Sequence, residues 1–166
     1  RIIHLRNREC VFLSFFDFTQ FKVLWIATNR IRIGSDLLDA YNALKSYFGY
    51  DKFKEGQEKL VKGVLDGRDV LGIMPTGGGK SLCYQLPAIL LDGITLVVSP
   101  LISLMKDQVD SLNEMGIPGT FINSTLDDNE LNYRLQEIRE GKYKIIYIAP
   151  ERLPSYSFMN LVRDIK

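Results

Sequence analysis

Eight residues, Met74-Pro75-Thr76-Gly77-Gly78-Gly79-Lys80-Ser81, restrict the fold of this chain more than any other stretch. The apolar run Val70-Leu71-Gly72-Ile73-Met74 leads into them and reads as a short buried strand. Leu82-Cys83-Tyr84-Gln85-Leu86-Pro87-Ala88 follows and reads as the opening of a helix. Strand, glycine turn and helix in that order are the context of a phosphate-binding loop. Successive glycines carry no Cβ, so backbone N–H groups can curl around an anion. The positive end of the helix then faces the same anion. Lys80 has the reach for the β- and γ-phosphates of a nucleotide, and the Ser81 hydroxyl suits Mg²⁺. Met74 stands where the common G-x-x-x-x-G-K-[ST] pattern has its first glycine.

The rest of the chain supplies the architecture that such a loop needs. Ile94–Val98 and Lys144–Ile148 are uninterrupted apolar strands, and Gly119–Asn123 is a shorter one. Between them fall amphipathic helices. Leu101–Met115 places Leu101, Leu104, Met105, Val109 and Leu112 on one stripe. A later helix has Leu131, Leu135 and Ile138 inward, with Thr125 and Asp128 resembling a capping box ahead of it. Upstream, Ser35 or Asp36 caps a helix with Leu37, Leu38, Tyr41, Leu44 and Phe48 inward, ended by Gly49. After a loop, Gln57 opens a second helix that closes at Gly67. Strands alternating with helices imply right-handed crossovers and a parallel sheet covered on both faces, an α/β P-loop fold. Ligands of such sheets bind beyond the carboxyl ends of the strands, where Pro75–Ser81, Ser99–Lys106 and Ala149–Arg152 lie.

Residues 1–34 read differently from residues 35–166, and the expected division of the chain falls there. Five of the nine phenylalanines lie between Phe12 and Phe21. Asp17, Gln20 and Lys22 interrupt the apolar run and argue against a membrane span. No small-residue cleavage site follows, which argues against a signal peptide. Two readings stay open: strand-like packing against the domain, or a segment foreign to it. A net charge of +1 gives no overall basic field, so any nucleic-acid site is local. Cys10 and Cys83 lack metal-ligand spacing, and Cys83, just behind the loop, reads as a buried free thiol in a reducing, cytoplasmic setting. The chain starts at Arg1 rather than Met and is expected to be a piece of a longer one.

Four segments in order resemble the RecQ family of superfamily 2 DNA helicases, over about Leu44 to Leu153. They are Tyr47-Phe48-Gly49-Tyr50 through Gln57 (motif 0), Met74–Ala88 (motif I), VVSPLISLMKDQV at Val97–Val109 (motif Ia) and YIAPERL at Tyr147–Leu153. The resemblance implies an incomplete first RecA-like lobe that uses ATP and Mg²⁺ and engages single-stranded and duplex DNA. It implies 3′–5′ unwinding in DNA repair and recombination, with nucleoid association if the source is bacterial. Adenine contacts carry over to Tyr50, Lys54 and Gln57, and phosphate contacts to Thr76, Gly77, Gly78, Gly79, Lys80 and Ser81. Lys80 would stabilise the transferred phosphate and Ser81 would hold Mg²⁺. DNA phosphates would meet Ser99, Ser103, Lys106 and Arg152. The family usually has Arg at the position of Lys54 and Pro at that of Glu55, and an ammonium stacks on a purine less well than a guanidinium.

The family's DExH acids, arginine finger and second lobe are not found in these 166 residues. Binding of nucleotide without efficient hydrolysis or unwinding is therefore expected. A DEAD-box RNA helicase and a P-loop kinase or nucleotide switch are the alternatives; the motif Ia segment favours DNA. A partly folded, non-functional product is a further one, and its sheet would carry an exposed edge.

Overall fold

The computed structural model describes residues 10–18, 21–27, 37–75 and 77–164. Strands β1 (Cys10–Phe18) and β2 (Phe21–Ala27) precede helices α1 (Leu37–Phe48) and α2 (Gln57–Leu65). Strand β3 (Val70–Pro75) then leads through the glycine loop into α3 (Leu82–Leu90). The alternation continues with β4 (Ile94–Val98), α4 (Ile102–Glu114), β5 (Gly119–Ile122) and α5 (Asp128–Arg139). It closes with β6 (Ile145–Ile148), a 3₁₀ turn at Pro150–Arg152 and α6 (Tyr156–Asp164).

These strands form one six-stranded sheet in the order β3-β2-β1-β4-β6-β5. β1, β4, β6 and β5 pair in parallel, whereas β2 is antiparallel to both its neighbours. β3 therefore runs in the same direction as β4, three strand positions away with β2 and β1 between them. The expected parallel α/β sheet is present, with β2 the one described strand running against it. Residues 10–18 and 21–27 of the apolar segment are strands of this sheet.

Period-two alternation divides the core between the two faces of the sheet. Met74, Val97, Ile145 and Tyr147 join buried residues of α1, α2, α3 and α4 in one cluster. Ile94, Leu96, Ile122, Ile146 and Ile148 join Leu135 and Ile138 of α5 and Phe158, Leu161 and Val162 of α6 in the other. Helices thus cover both faces.

Three details differ from the expected pattern. The capping box of α5 is built by Asp127 and Glu130, not by Thr125 and Asp128: Glu130 N donates to Asp127 Oδ1 at 2.8 Å, and Asp127 N donates to Glu130 Oε2 at 3.2 Å. Leu38 and Leu104, both expected inward, are exposed, because the buried stripes run through Ala40, Ala43 and Leu44 in α1 and through Met105, Val109 and Leu112 in α4. α6 was not foreseen as a helix. The expected cap at Ser35 or Asp36 lies outside the described residues. No described helix is long and apolar enough to cross a membrane.

Candidate nucleotide and nucleic-acid site

The glycine loop leaves the carboxyl end of β3 and turns on left-handed backbone. Gly77 and Gly79 have φ of 80° and 75°, a region that side chains with a Cβ resist. Gly78 N donates to Pro75 O at 3.1 Å and closes the turn. A Cβ at Gly79 would also lie 2.4 Å from Gln57 Nε2 and push that amide off the loop. Lys80 folds back so that Nζ donates to Pro75 O at 2.8 Å. Ser81 stands at the N-cap of α3 without spending its side chain on a cap bond. Thr76 lies outside the described residues.

Gln57 holds this loop from below. Its Nε2 donates to Gly79 O at 3.0 Å and its Oε1 accepts from Lys54 N at 2.8 Å, with 3% of the residue exposed. The left-handed Gly56 (φ 78°) turns the chain so that Gln57 can open α2 and still reach the loop. Gln57 therefore braces the Lys54 turn against the glycines. Tyr50 is 54% exposed just past α1, and the Lys54 side chain lies beside Gly79. A groove of about 750 Å³ is lined by Lys54, Gly56, Met74, Pro75 and Gly78 among others.

Behind the loop, α3 is locked to the sheet by buried polar contacts. The Tyr84 and Tyr147 hydroxyls are 3.0 Å apart, and Gln85 Nε2 donates to the Tyr147 hydroxyl at 3.2 Å. Burial is the main reason both phenols titrate above their usual value. Cys83 is a free, fully buried thiol, as expected, and burial pushes it up to about 12. A second contact runs sideways: Ser81 Oγ donates to Gln108 Oε1 of α4 at 3.2 Å. Neither Gln108 nor the tyrosine pair was singled out from the sequence. The signal for Gln108 was its place between the inward Met105 and Val109.

The expected DNA-side residues lie at the carboxyl ends of β4 and β6. These strands are neighbours, and Ser99 N donates to Ile148 O at 3.1 Å, joining the two loops at their base. Ser99 Oγ accepts from Leu101 N at 3.2 Å and shapes the entry to α4. Ser103 and Lys106 are exposed on α4, and Arg152 sits in the 3₁₀ turn after β6. Because β3, β4 and β6 run the same way, these loops and the glycine loop share one edge of the sheet. The structure links α4 to the glycine loop through Ser81 and Gln108; among the described residues no bond runs from Tyr50 to that loop.

The donor set fits a magnesium nucleotide. A curled glycine backbone, an ammonium and a hydroxyl converge at the start of a nine-residue helix, which is an anion site in charge and shape. Among the described residues no group of three His, Cys, Asp or Glu side chains could hold a metal.

Residues 54–166 match the DEAD/DEAH box helicase family. The chain is 51% identical over 127 residues to the ATP-dependent DNA helicase RecQ of Bacillus subtilis, covering 76% of this chain and 22% of that protein. It is 47% identical over 123 residues to the RecQ of Haemophilus influenzae, covering 74% and 20%. The ATP-dependent DNA helicase Q-like 5 of Arabidopsis thaliana is 43% identical over 120 residues, covering 72% and 13%. The chain thus spans about a fifth of the length of the two bacterial relatives.

Proposed function

Because this chain belongs to the DEAD/DEAH box helicase family, we propose that it forms the nucleotide-gripping part of an ATP-dependent DNA helicase of RecQ type. The observation that carries the reading is the shared sheet edge. A glycine loop suited to phosphate opens on the same edge as two loops, after β4 and β6, that carry Ser99, Ser103, Lys106 and Arg152. The relatives, named as DNA helicases, favour DNA over RNA as the strand.

In this reading the backbone N–H groups of Gly77 and Gly79 serve the nucleotide's phosphates, that of Gly78 being held by Pro75 O, and Thr76 belongs to the same loop. Lys80 exchanges its bond to Pro75 O for the β- and γ-phosphates, and Ser81 holds Mg²⁺ through its hydroxyl oxygen. The bound ion supplies charge neutralisation on the phosphates. Tyr50 and Lys54 flank the adenine, while Gln57, buried with both ends of its amide engaged, serves by bracing the loop and would meet the purine edge only by giving up one of those bonds. Ser99, Ser103, Lys106 and Arg152 touch strand phosphates and read no sequence. The sequence holds one histidine, His4, and no Asp-Glu-x-His.

Titration of the chain with a fluorescent ATP analogue and Mg²⁺ tests the reading. Saturable binding that Lys80→Ala weakens at least tenfold is expected. Phosphate release in the presence of single-stranded DNA should stay at the level of Lys80→Ala. Absence of nucleotide binding by the unaltered chain overturns the proposal, and so does rapid turnover that needs Lys80.

A further inference from the structure

We propose that Gln108 is a positioning residue for the magnesium ion, taking the Ser81 proton so that the Ser81 oxygen presents its lone pairs to the metal. The inference rests on the phosphate-loop reading above and adds to it a residue from outside the loop. A serine hydroxyl has one proton and two lone pairs. It ligates a cation well only when the proton points away from it, and something must accept that proton. Ser81 Oγ donates to Gln108 Oε1 at 3.2 Å across 27 residues of sequence. The hydroxyl is not diverted into capping its own helix, since Ser81 makes no side-chain cap bond.

Gln108 is well placed to hold this geometry. Met105, Val109 and Leu112 of the same helix are buried in the core, which fixes the rotation of α4 and turns Gln108 toward α3. An amide also suits the role better than a carboxylate in one respect: it accepts the proton without adding charge beside Lys80. The Tyr84 hydroxyl is the second group within reach of Ser81, but it is shared with Tyr147 at 3.0 Å in the buried pair behind the loop. Outer groups that orient a metal ligand typically contribute about 10–100-fold to metal affinity. The contact has a consequence for coupling too. α4 carries Lys106 and begins three residues after Ser99, so an ion held through Ser81 also bears on the loop proposed to meet DNA.

The test is the gain in affinity that Mg²⁺ gives a fluorescent ATP analogue, measured on the 166-residue chain as the ratio of dissociation constants in EDTA and in Mg²⁺. Gln108→Leu, which removes the acceptor, is expected to cut that gain about tenfold and leave metal-free binding unchanged. Gln108→Asn, which withdraws the acceptor by one methylene, should do the same and serves if the Leu variant fails to fold. Gln108→Glu should keep the gain, and Tyr84→Phe should leave it intact. The proposal is overturned if Gln108→Leu or Gln108→Asn retains the full gain, or lowers metal-free and metal-loaded binding equally. Failure of the unaltered chain to bind the analogue at all would instead remove the phosphate-loop reading, and this inference with it.

Discussion

Strands β6 and β3 carry two of the proposed functional loops, yet the sheet treats them differently. All four residues of β6 are buried, sandwiched between α1–α4 on one face and α5 and α6 on the other. β3 alternates: Gly72 and Met74 are buried under α2 and α3, while Leu71 and Ile73 on the opposite face are 62% and 64% exposed. β6 also has parallel neighbours on both sides, whereas β3 is the sheet's edge and meets the other strands only through β2. The loop after β6, proposed to meet DNA, thus stands on the rigid part of the molecule. The glycine loop stands on a strand held by one face and one edge, and its order depends on α2, α3 and the β2 ladder.

The sharpest way to break this asymmetry is Leu24→Pro in β2. Its backbone pairs with Phe15 on one side and Gly72 on the other, and proline cannot donate within a ladder. Loss of a single cooperative melt, followed by circular dichroism, is expected. A single transition with an unchanged midpoint would mean that the helices alone hold β3. Next in size is a paired comparison of β6 with β3. Ile146→Ala in the fully buried β6 should cost about 2–5 kcal/mol, and Ile73→Ala should stay within about 0.5 kcal/mol. Urea midpoints read both, and comparable losses at the two sites would contradict the picture of a half-covered β3.

A smaller effect probes the covered face. Gly63 of α2 lies so close to β3 that a Cβ there would come 2.5 Å from Val70 Cγ1, on a side chain that is stiff at χ1. Gly63→Ala is therefore expected to destabilise by about 1–3 kcal/mol despite alanine's better helix propensity. Adding Val70→Ala should return part of the loss. If Gly63→Ala stabilises, α2 and β3 are not in close contact.

Much of this arrangement was legible in the sequence because it rests on local signals. Continuous apolar strands, amphipathic periods and Gly-Lys-Ser after a strand locate every element from α1 to β6. What was not legible depends on distant partners. Nothing in Phe21–Ala27 announces that it pairs between β1 and β3, since ladder partners carry no local code. Gln57 reads as a helix-opening residue and, by resemblance, as an adenine contact, and only the folded chain reveals it under Gly79. The cap of α5 was misplaced because two overlapping spacings, Thr125 to Asp128 and Asp127 to Glu130, both suit a box; the geometry selects the second. α6 had the spacing Phe158, Leu161, Val162 of a buried stripe, and its polar surroundings hid it.

Cys83 offers the finest measure of how tightly the covered side of β3 is sealed. Its Sγ lies 3.9 Å from Met74 Sδ, between α3 and β3, and burial raises its folded pKa to about 12. In the unfolded chain a cysteine titrates near ~8.5. A group with a raised folded pKa lends its full stabilisation below the unfolded value and loses it as pH rises toward the folded one. Stability should therefore be flat with respect to this thiol up to about pH 8 and fall by about 1 kcal/mol by pH 9. Cys83→Ala should flatten that decline at some cost at neutral pH, as seen in urea midpoints across the range. Alkylation by iodoacetamide at pH 8, mapped by mass spectrometry, should spare Cys83 in the native chain and reach it in Leu24→Pro. Equal labelling of Cys83 in both would mean that α3 and β3 part readily even with the β2 ladder intact, and the phosphate loop would then have no rigid base.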